Sequence, residues 1–214
     1  KFITSQGKKK TLILYPNNQY EELINTKIKE IKLKNYKIFK YNSDPKSLTG
    51  EIEKLTNYNQ RKRNLELRKK LLENKEDEQS IAELKQLEQI YTLGEVNFDS
   101  IIVIDFGNSL KSVLTSLVFS DVSSEKILFT TVNQWFDKSI FYENSLKTLY
   151  YPSVNYKNFM IYNDKYFKIF KSQPSEITIL TYDSIGLIYY IWKKNKKIET
   201  IKDFLIKDKI KGKI

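Results

Sequence analysis

Acid–base chemistry needs two carboxylates, or a base beside a nucleophile, held together in one place. Histidine and cysteine are both absent from the 214 residues. That excludes Ser-His-Asp triads, Cys-His pairs and zinc held by its usual ligands. Asp105 and Asp137 are the one pair of acids worth naming, and the order of elements traced below gives no reason for them to meet. The expectation is therefore a chain that is not an enzyme and uses no metal and no cofactor. Binding chemistry has more candidates. Asp105 leads them, because a carboxylate closing an apolar strand is costly unless something pairs with it. Around it stand the polar and aromatic residues of the strand-end loops: Asn17, Asn18 and Tyr20 after a first strand, Phe106, Asn108 and Ser109 after a third, and Thr131, Asn133 and Trp135 after a fourth. Each also has a plain structural reading, Asn18 as a helix cap, Asn108 as a turn residue and Trp135 as packing.

The elements that position these residues follow from apolar periodicity. Thr11-Leu12-Ile13-Leu14-Tyr15 is a short apolar run closed by Pro16-Asn17-Asn18, the pattern of a buried parallel strand. Leu23, Ile24, Ile28, Ile31 and Leu33 predict a helix over Tyr20–Lys34, and Tyr36–Tyr41 predicts a second strand stopped by Asn42-Ser43-Asp44-Pro45. Ser100–Phe106 is the strongest strand signal. A helix follows through Leu110, Val113, Leu114 and Leu117, and then a strand at Ile127–Val132. Strands alternating with helices imply an α/β fold with a mostly parallel, doubly wound sheet, whose ligands sit beyond the carboxyl ends of the strands. Between the two halves, Asn59–Tyr91 reads as a helical hairpin with mixed charge, broken around Asn74–Ser80, with Leu65, Leu71, Leu72, Ile81, Leu84, Leu87 and Tyr91 as its apolar side. Beyond a strand-like Thr148–Tyr151, helices are predicted over Tyr156–Phe170 and Glu176–Trp192. Their stripes, Phe159, Tyr162, Tyr166 and Phe170, then Ile177, Leu180, Leu187, Ile188 and Ile191, read as core. The expected division is a lobe over 1–147, with 59–91 inserted, and a crossover strand with helices over 148–214.

A net charge of +11 raises the question of nucleic acid. Arginine is confined to Arg61, Arg63 and Arg68, and the lysines are spread along the chain among many Asn, Ile, Tyr and Phe residues and a single alanine, Ala82. That pattern fits an AT-rich coding bias and a solvated face better than a phosphate-reading surface, so no nucleic-acid partner is expected. No apolar run reaches the roughly 18–20 residues of a membrane span, and the first residues lack the order of a signal peptide. Lys1 lies close to a strand, and Lys209–Ile214 reads as a turn into another, so both ends read as cuts in a longer protein.

A resemblance adds to this reading. Leu55-Thr56-Asn57-Tyr58 with Arg61, then Leu87-Glu88, Tyr91-Thr92-Leu93-Gly94 and Phe98-Asp99-Ser100-Ile101-Ile102-Val103, resemble the LppC/YraM-like branch of type I periplasmic-binding proteins. Asn133-Gln134-Trp135-Phe136-Asp137, the spacing Phe159…Tyr166…Pro174 and Thr181-Tyr182-Asp183-Ser184-Ile185-Gly186-Leu187 are similar to later landmarks shared with leucine-binding proteins. The resemblance spans about Lys8 to Lys194 and rests on order and spacing rather than on one motif. It implies one lobe of a two-lobe binding domain, with the amino-terminal lobe preceding Lys1 and any ligand site here a half-site. It further implies an outer-membrane lipoprotein of the periplasm, with a penicillin-binding protein or other peptidoglycan-synthesis enzyme as partner; the alternative is a solute receptor of an amino-acid or amide transporter. With its second lobe absent, the apolar face of 156–192 should be buried on a second copy or on the lobe's own sheet. Self-association is the preferred outcome, because each large side chain left in water forfeits about 1.5–3 kcal/mol.

Overall fold

The computed structural model describes residues 1–31, 33–137, 139, 146–195 and 200. The chain divides into two compact units, Lys1–Pro152 and Ser153–Ile214. The reading of Lys209–Ile214 lies outside the described residues.

In the first unit a four-stranded, all-parallel sheet is built from β1 (Thr11–Pro16), β2 (Tyr36–Tyr41), β3 (Ser100–Val103) and β4 (Leu128–Thr131), in the order β2-β1-β3-β4. The register sets Leu14 against Phe39 and Val103, and Val103 against Thr131. All six residues of β1 are buried, as a central parallel strand requires. A single parallel bridge, Thr130 to Tyr150, adds a fifth position beside β4. Tyr150 N donates to Phe129 O at 3.0 Å and Thr131 N to Tyr150 O at 2.9 Å. The unit boundary therefore falls after Pro152, a few residues beyond the division at 147 expected from the sequence.

Helices cover both faces, so the fold is α/β and doubly wound. On one face α2 (Glu21–Glu30) packs Ile24 and Ile28 against Ile13, Tyr15, Ile38 and Ile102. On the other, α3 (Pro45–Leu55) and α6 (Gly107–Phe119) bury Leu48, Ile52, Leu110, Val113, Leu114 and Leu117 against Leu12, Leu14, Ile101, Val103 and Phe129. A short α1 (Phe2–Ser5) precedes β1 where the sequence predicts no element. The sequence predicts none at α3 either, because Asp44-Pro45 reads as a stop. In fact Asp44 is the N-cap, its side chain accepting from Lys46 N at 3.2 Å, and Pro45 opens the first turn, the usual place for a proline whose missing N–H costs nothing.

Other expectations need correcting. α2 ends at Glu30 rather than Lys34, and Leu23 and Ile31 are exposed. β3 ends at Val103, leaving 104–106 as loop. The hairpin forms as α4 (Tyr58–Glu73) and α5 (Glu78–Leu87), joined around Leu65, Leu72, Leu84 and Leu87. Leu71 and Ile81 face outward, since two helices packed edge on edge can hide only one stripe each, and Tyr91, expected within the hairpin, lies beyond the end of α5 and is exposed.

Asp99 staples β3 to β1 at the amino edge of the sheet. Its carboxylate accepts from Lys9 N at 2.7 Å and from Lys10 N at 2.9 Å. Burial acts to raise its pKa, but the two backbone donors outweigh that and hold it below the ordinary carboxylate value. A depressed folded-state pKa gives stability that is present above the unfolded value and lost as pH falls through the folded one. Asp99→Asn is expected to cost about 1 kcal/mol at neutral pH and to flatten the acid limb of stability against pH. Urea midpoints measured across the acid range check it, and an unchanged midpoint at pH 7 would refute it.

The second unit contains α7 (Tyr156–Phe170), capped by Asn155 accepting from Asn158 N at 3.1 Å, and α8 (Glu176–Asn195). Tyr162 stacks on Tyr182 with ring centroids 4.8 Å apart. The expectation that both stripes are core is overturned in large part. Tyr162, Ile179 and Ile191 are buried, whereas Phe170, Ile177, Leu180, Leu187 and Ile188 are exposed, and Phe159 and Tyr166 are half-buried. Two helices have one mutual face, and this pair carries more apolar side chains than one face can cover.

Candidate functional site

Strand order reverses between β1 and β3, because β1 is followed in sequence by its neighbour on one side and β3 by its neighbour on the other. Such a switch point opens a crevice beyond the carboxyl ends of those strands. Asn17 leaves β1 there, its N–H donating to Tyr41 O at 2.9 Å, with its side chain exposed. Asn18 does not cap α2. Its Oδ1 accepts from Tyr20 N at 3.0 Å, forming a turn one step earlier, and Tyr20 is the N-cap residue, with its ring exposed.

Asp105 sits at the centre of this edge. Tyr41, the last residue of β2, reaches over the end of β1 and donates its hydroxyl to Asp105 Oδ2, while Phe106 N donates to Oδ1 at 2.8 Å. Tyr41 is fully buried, and Ser109 lies beside the same phenol, where it acts to lower its pKa. Burial first, then the bond to Asp105 and the nearby negative charge, push the Tyr41 pKa far above the phenol range. Phe106 is exposed at the N-cap of α6, and Gly107 takes φ +55° in the first turn, with open space where a Cβ would stand. Asn108 is exposed, and its carbonyl accepts from Ser112 Oγ at 3.0 Å.

The loop after β4 closes the site from the other side. Gln134, buried, donates from Nε2 to Asp105 O at 3.0 Å, Thr131 Oγ1 at 3.2 Å and Val132 O at 3.2 Å. Thr131 is buried and gives its hydroxyl to Val103 O at 2.7 Å. Asn133 Oδ1 accepts from Trp135 N at 2.9 Å. Trp135 and Phe136 follow with φ of +49° and +60°, a conformation that bulky residues adopt only when their surroundings impose it. Asp137 N donates to Gln134 O at 2.9 Å. The Asp137 carboxyl is held below its ordinary value by Ser139, whose N–H it accepts at 2.9 Å. Each of the two acids is thus engaged with its own neighbours.

The structure brings together Asp105 and Ser109 of the sequence candidates and adds Tyr41 and Gln134. It leaves Asn17, Tyr20, Phe106 and Asn108 as an exposed rim, turns Asn18 and Asn133 onto their own loops, and commits Thr131 to the neighbouring strand β3. The sequence places Tyr41 at a strand end before a run of turn formers but carries no signal of its contact with Asp105, which depends on strand order. Gln134 carried no signal beyond lying between Asn133 and Trp135. Two concavities lie elsewhere. A groove of about 270 Å³, lined by Lys10, Asn35, Tyr36, Lys37, Leu55, Asn97 and Phe98 among others, is at the amino edge of the sheet, and a shallow depression runs along α2 from Asn18 to Lys29. The switch-point rule favours the opposite edge from the groove.

That amino edge holds the hairpin's anchor. Arg61, 5% exposed, donates to Thr56 O at 3.0 Å, Thr92 Oγ1 at 2.9 Å, Ser120 O at 2.5 Å and Asp121 O at 3.3 Å. Thr56 and Ser120 are the C-cap residues of α3 and α6, so one guanidinium closes two helix C-termini, where a cation is favoured by the helix dipole. Desolvation lowers the Arg61 pKa against the opposing pull of the Asp121 charge.

Comparison with protein-family models, with curated proteins and with solved structures returned no match to this chain. Among the described residues no cluster of three metal-ligating side chains occurs, and no helix is long and apolar enough to cross a membrane.

Proposed function

We propose that the chain is a non-enzymatic recognition lobe of the type I periplasmic-binding-protein kind, belonging to an envelope lipoprotein and docking onto a peptidoglycan-synthesis enzyme such as a penicillin-binding protein. The observation that carries the reading is the hairpin α4–α5. It projects from the edge opposite the crevice and is pinned through buried Arg61 to the ends of two core helices, so it is held as a rigid arm. Its outer side shows Leu67 and Leu71 beside exposed Arg63 and Lys70. Exposed apolar side chains a turn apart with flanking charge suit a protein partner. The parallel order β2-β1-β3-β4, with Tyr150 continuing it, supports the lobe type by analogy of fold. Purified penicillin-binding proteins of the source organism, titrated against the protein on a biosensor, should bind. Leu67→Glu with Leu71→Glu should weaken that binding at least tenfold, and no binding by any of them would overturn the reading.

A second reading, a solute receptor for amino acids or amides, is favoured by the Tyr41–Asp105–Ser109 cluster at the switch point. There a fixed carboxylate and a hydroxyl sit beside an exposed rim suited to an amine or amide group. Thermal shifts of the intact protein with amino acids and small amides decide it. A ligand at a hundred times its Kd would add about 2.7 kcal/mol, and no shift at millimolar ligand would sink the reading.

A further inference from the structure

We infer that α8 is the dimerisation helix of this chain and that it pairs antiparallel with α8 of a second copy about a two-fold axis near Ser184 and Ile185. The inference does not rest on the proposed function. Between Ile177 and Trp192 the helix carries one formal charge, Asp183, in a chain of net charge +11. The side of α8 turned away from buried Ile179, and bordered along one edge by buried Ile191, bears Ile177, Thr181, Ile185, Ile188 and Trp192, at i, i+4, i+8, i+11 and i+15, and its four apolar members are 67%, 60%, 50% and 56% exposed in that order. That spacing is one continuous stripe, about 22 Å long at 1.5 Å per residue.

Three observations say what covers it. First, the stripe is symmetric about its middle. In an antiparallel pair Ile177 meets Trp192 of the other copy, Thr181 meets Ile188, and Ser184 and Ile185 lie at the axis, which is the self-complementary contact a two-fold demands. Second, the ends are oppositely charged, with exposed Glu176 at the start and exposed Lys193 and Lys194 at the finish. Antiparallel pairing sets each acid beside the other copy's lysines and opposes the two helix dipoles, whereas parallel pairing would align like with like. Third, the two aliphatic hydroxyls of this face are already satisfied within the helix. Thr181 Oγ1 donates to Ile177 O at 2.7 Å and Ser184 Oγ to Leu180 O at 2.8 Å, so covering them strands no polar group. The area is also sufficient. With Tyr182 and Tyr189 flanking, half-exposed side chains of about 100 Å² each give on the order of 600–800 Å² per copy, close to the roughly 800 Å² per partner of a stable interface.

Sedimentation equilibrium of the whole chain is expected to show a dimer at micromolar concentration. Ile185→Glu, which sets two like charges face to face at the axis, should weaken it by about a hundredfold with the far-UV spectrum unchanged. The absence of native cysteine allows a second, independent readout. Ser184→Cys should cross-link to a disulfide dimer on mild oxidation, and Ile177→Cys should not cross-link with itself but should do so when mixed with Trp192→Cys. A monomer at high micromolar concentration overturns the inference, including one that instead floats with lipid vesicles. So does an Ile177→Cys chain that self-cross-links as readily as Ser184→Cys, since that is the mark of a parallel pair.

Discussion

Arg61→Met is expected to cost about 3–5 kcal/mol, the range seen when one member of a buried charged network is removed, and to release the hairpin before the sheet unfolds. The side chain makes four hydrogen bonds, three of them to backbone carbonyls at Thr56, Ser120 and Asp121 and one to the Thr92 hydroxyl. A methionine fills similar space and donates nothing, so buried acceptors are left without a partner, at about 1–3 kcal/mol each before relaxation. Thr92 loses a donor as well, though its own hydroxyl still reaches Asp121 Oδ2 at 2.5 Å. Arg61→Lys restores a charge but not the fork, because one ammonium cannot address acceptors arranged around a plane, and it should recover only part of the loss. The consequence is spatially selective. Leu93 N donates to Arg61 O at 3.0 Å, and Gly94, at φ +118°, packs within 3.6 Å of the Arg61 stem where a Cβ would stand. The entry and exit of the hairpin therefore share one anchor. Hydrogen exchange should show α4 and α5 losing protection while β1 and β3 keep theirs. Uniform loss across the unit would mean that Arg61 supports the sheet itself, and unchanged urea stability would remove the anchor from the account. Were the hairpin the docking arm, the same variant would also lose partner binding.

What could be read in advance divides along physical lines. β1 and α6 are legible because burial on both faces of a strand, or on one face of a helix, leaves an unbroken or periodic apolar signal in Leu12-Ile13-Leu14 and in Leu110, Val113, Leu114 and Leu117; β2, a largely exposed edge strand, is legible from its alternation and the turn formers that stop it. α3 is not legible although Leu48, Ile52 and Leu55 carry helical spacing, because Asp44-Pro45 reads as a stop when the same dipeptide is a cap and a first turn. Asp105 was legible from local cost alone, a carboxylate at the end of an apolar strand that had to find a partner. Its partner was not legible. Tyr41 lies on β2, and β1 stands between them in the sheet, so the contact depends on strand order and register, which no local window contains. In the sequence Arg61 stands out only as one of three arginines and as part of a resemblance. Among the mixed charges of α4 nothing distinguishes it from Arg63 and Arg68, since its role is set by residues at 92, 120 and 121. The exposure of the apolar stripes of α7 and α8 is not legible because periodicity reports that a face is apolar, not what covers it.

Tyr41→Phe should lower stability by about 2 kcal/mol at neutral pH and, unlike most substitutions, regain parity with the native protein in alkali. At pH 7 the loss has two parts. The phenol's bond to a carboxylate is of the stronger, charge-assisted kind, and Asp105 Oδ2 loses its donor while Oδ1 keeps Phe106 N. The alkaline behaviour follows from linkage. Burial, with the Asp105 bond and charge behind it, raises the folded-state pKa of Tyr41 far above its unfolded value, near 10. A group raised on folding contributes stability that is complete below the unfolded pKa and is lost as pH climbs towards the folded one, here by about 1.4 kcal/mol for each unit above about pH 10. Phenylalanine carries no such proton, so the variant lacks that slope. The two stability curves should therefore converge above about pH 11 and then cross, the other tyrosines and lysines being common to both chains. Urea titrations of native protein and variant from pH 7 upward give the difference directly. A gap that stays constant through the alkaline range would mean that Tyr41 ionises as freely in the fold as outside it, and the buried Tyr41–Asp105 bond at the crevice would lose its physical basis.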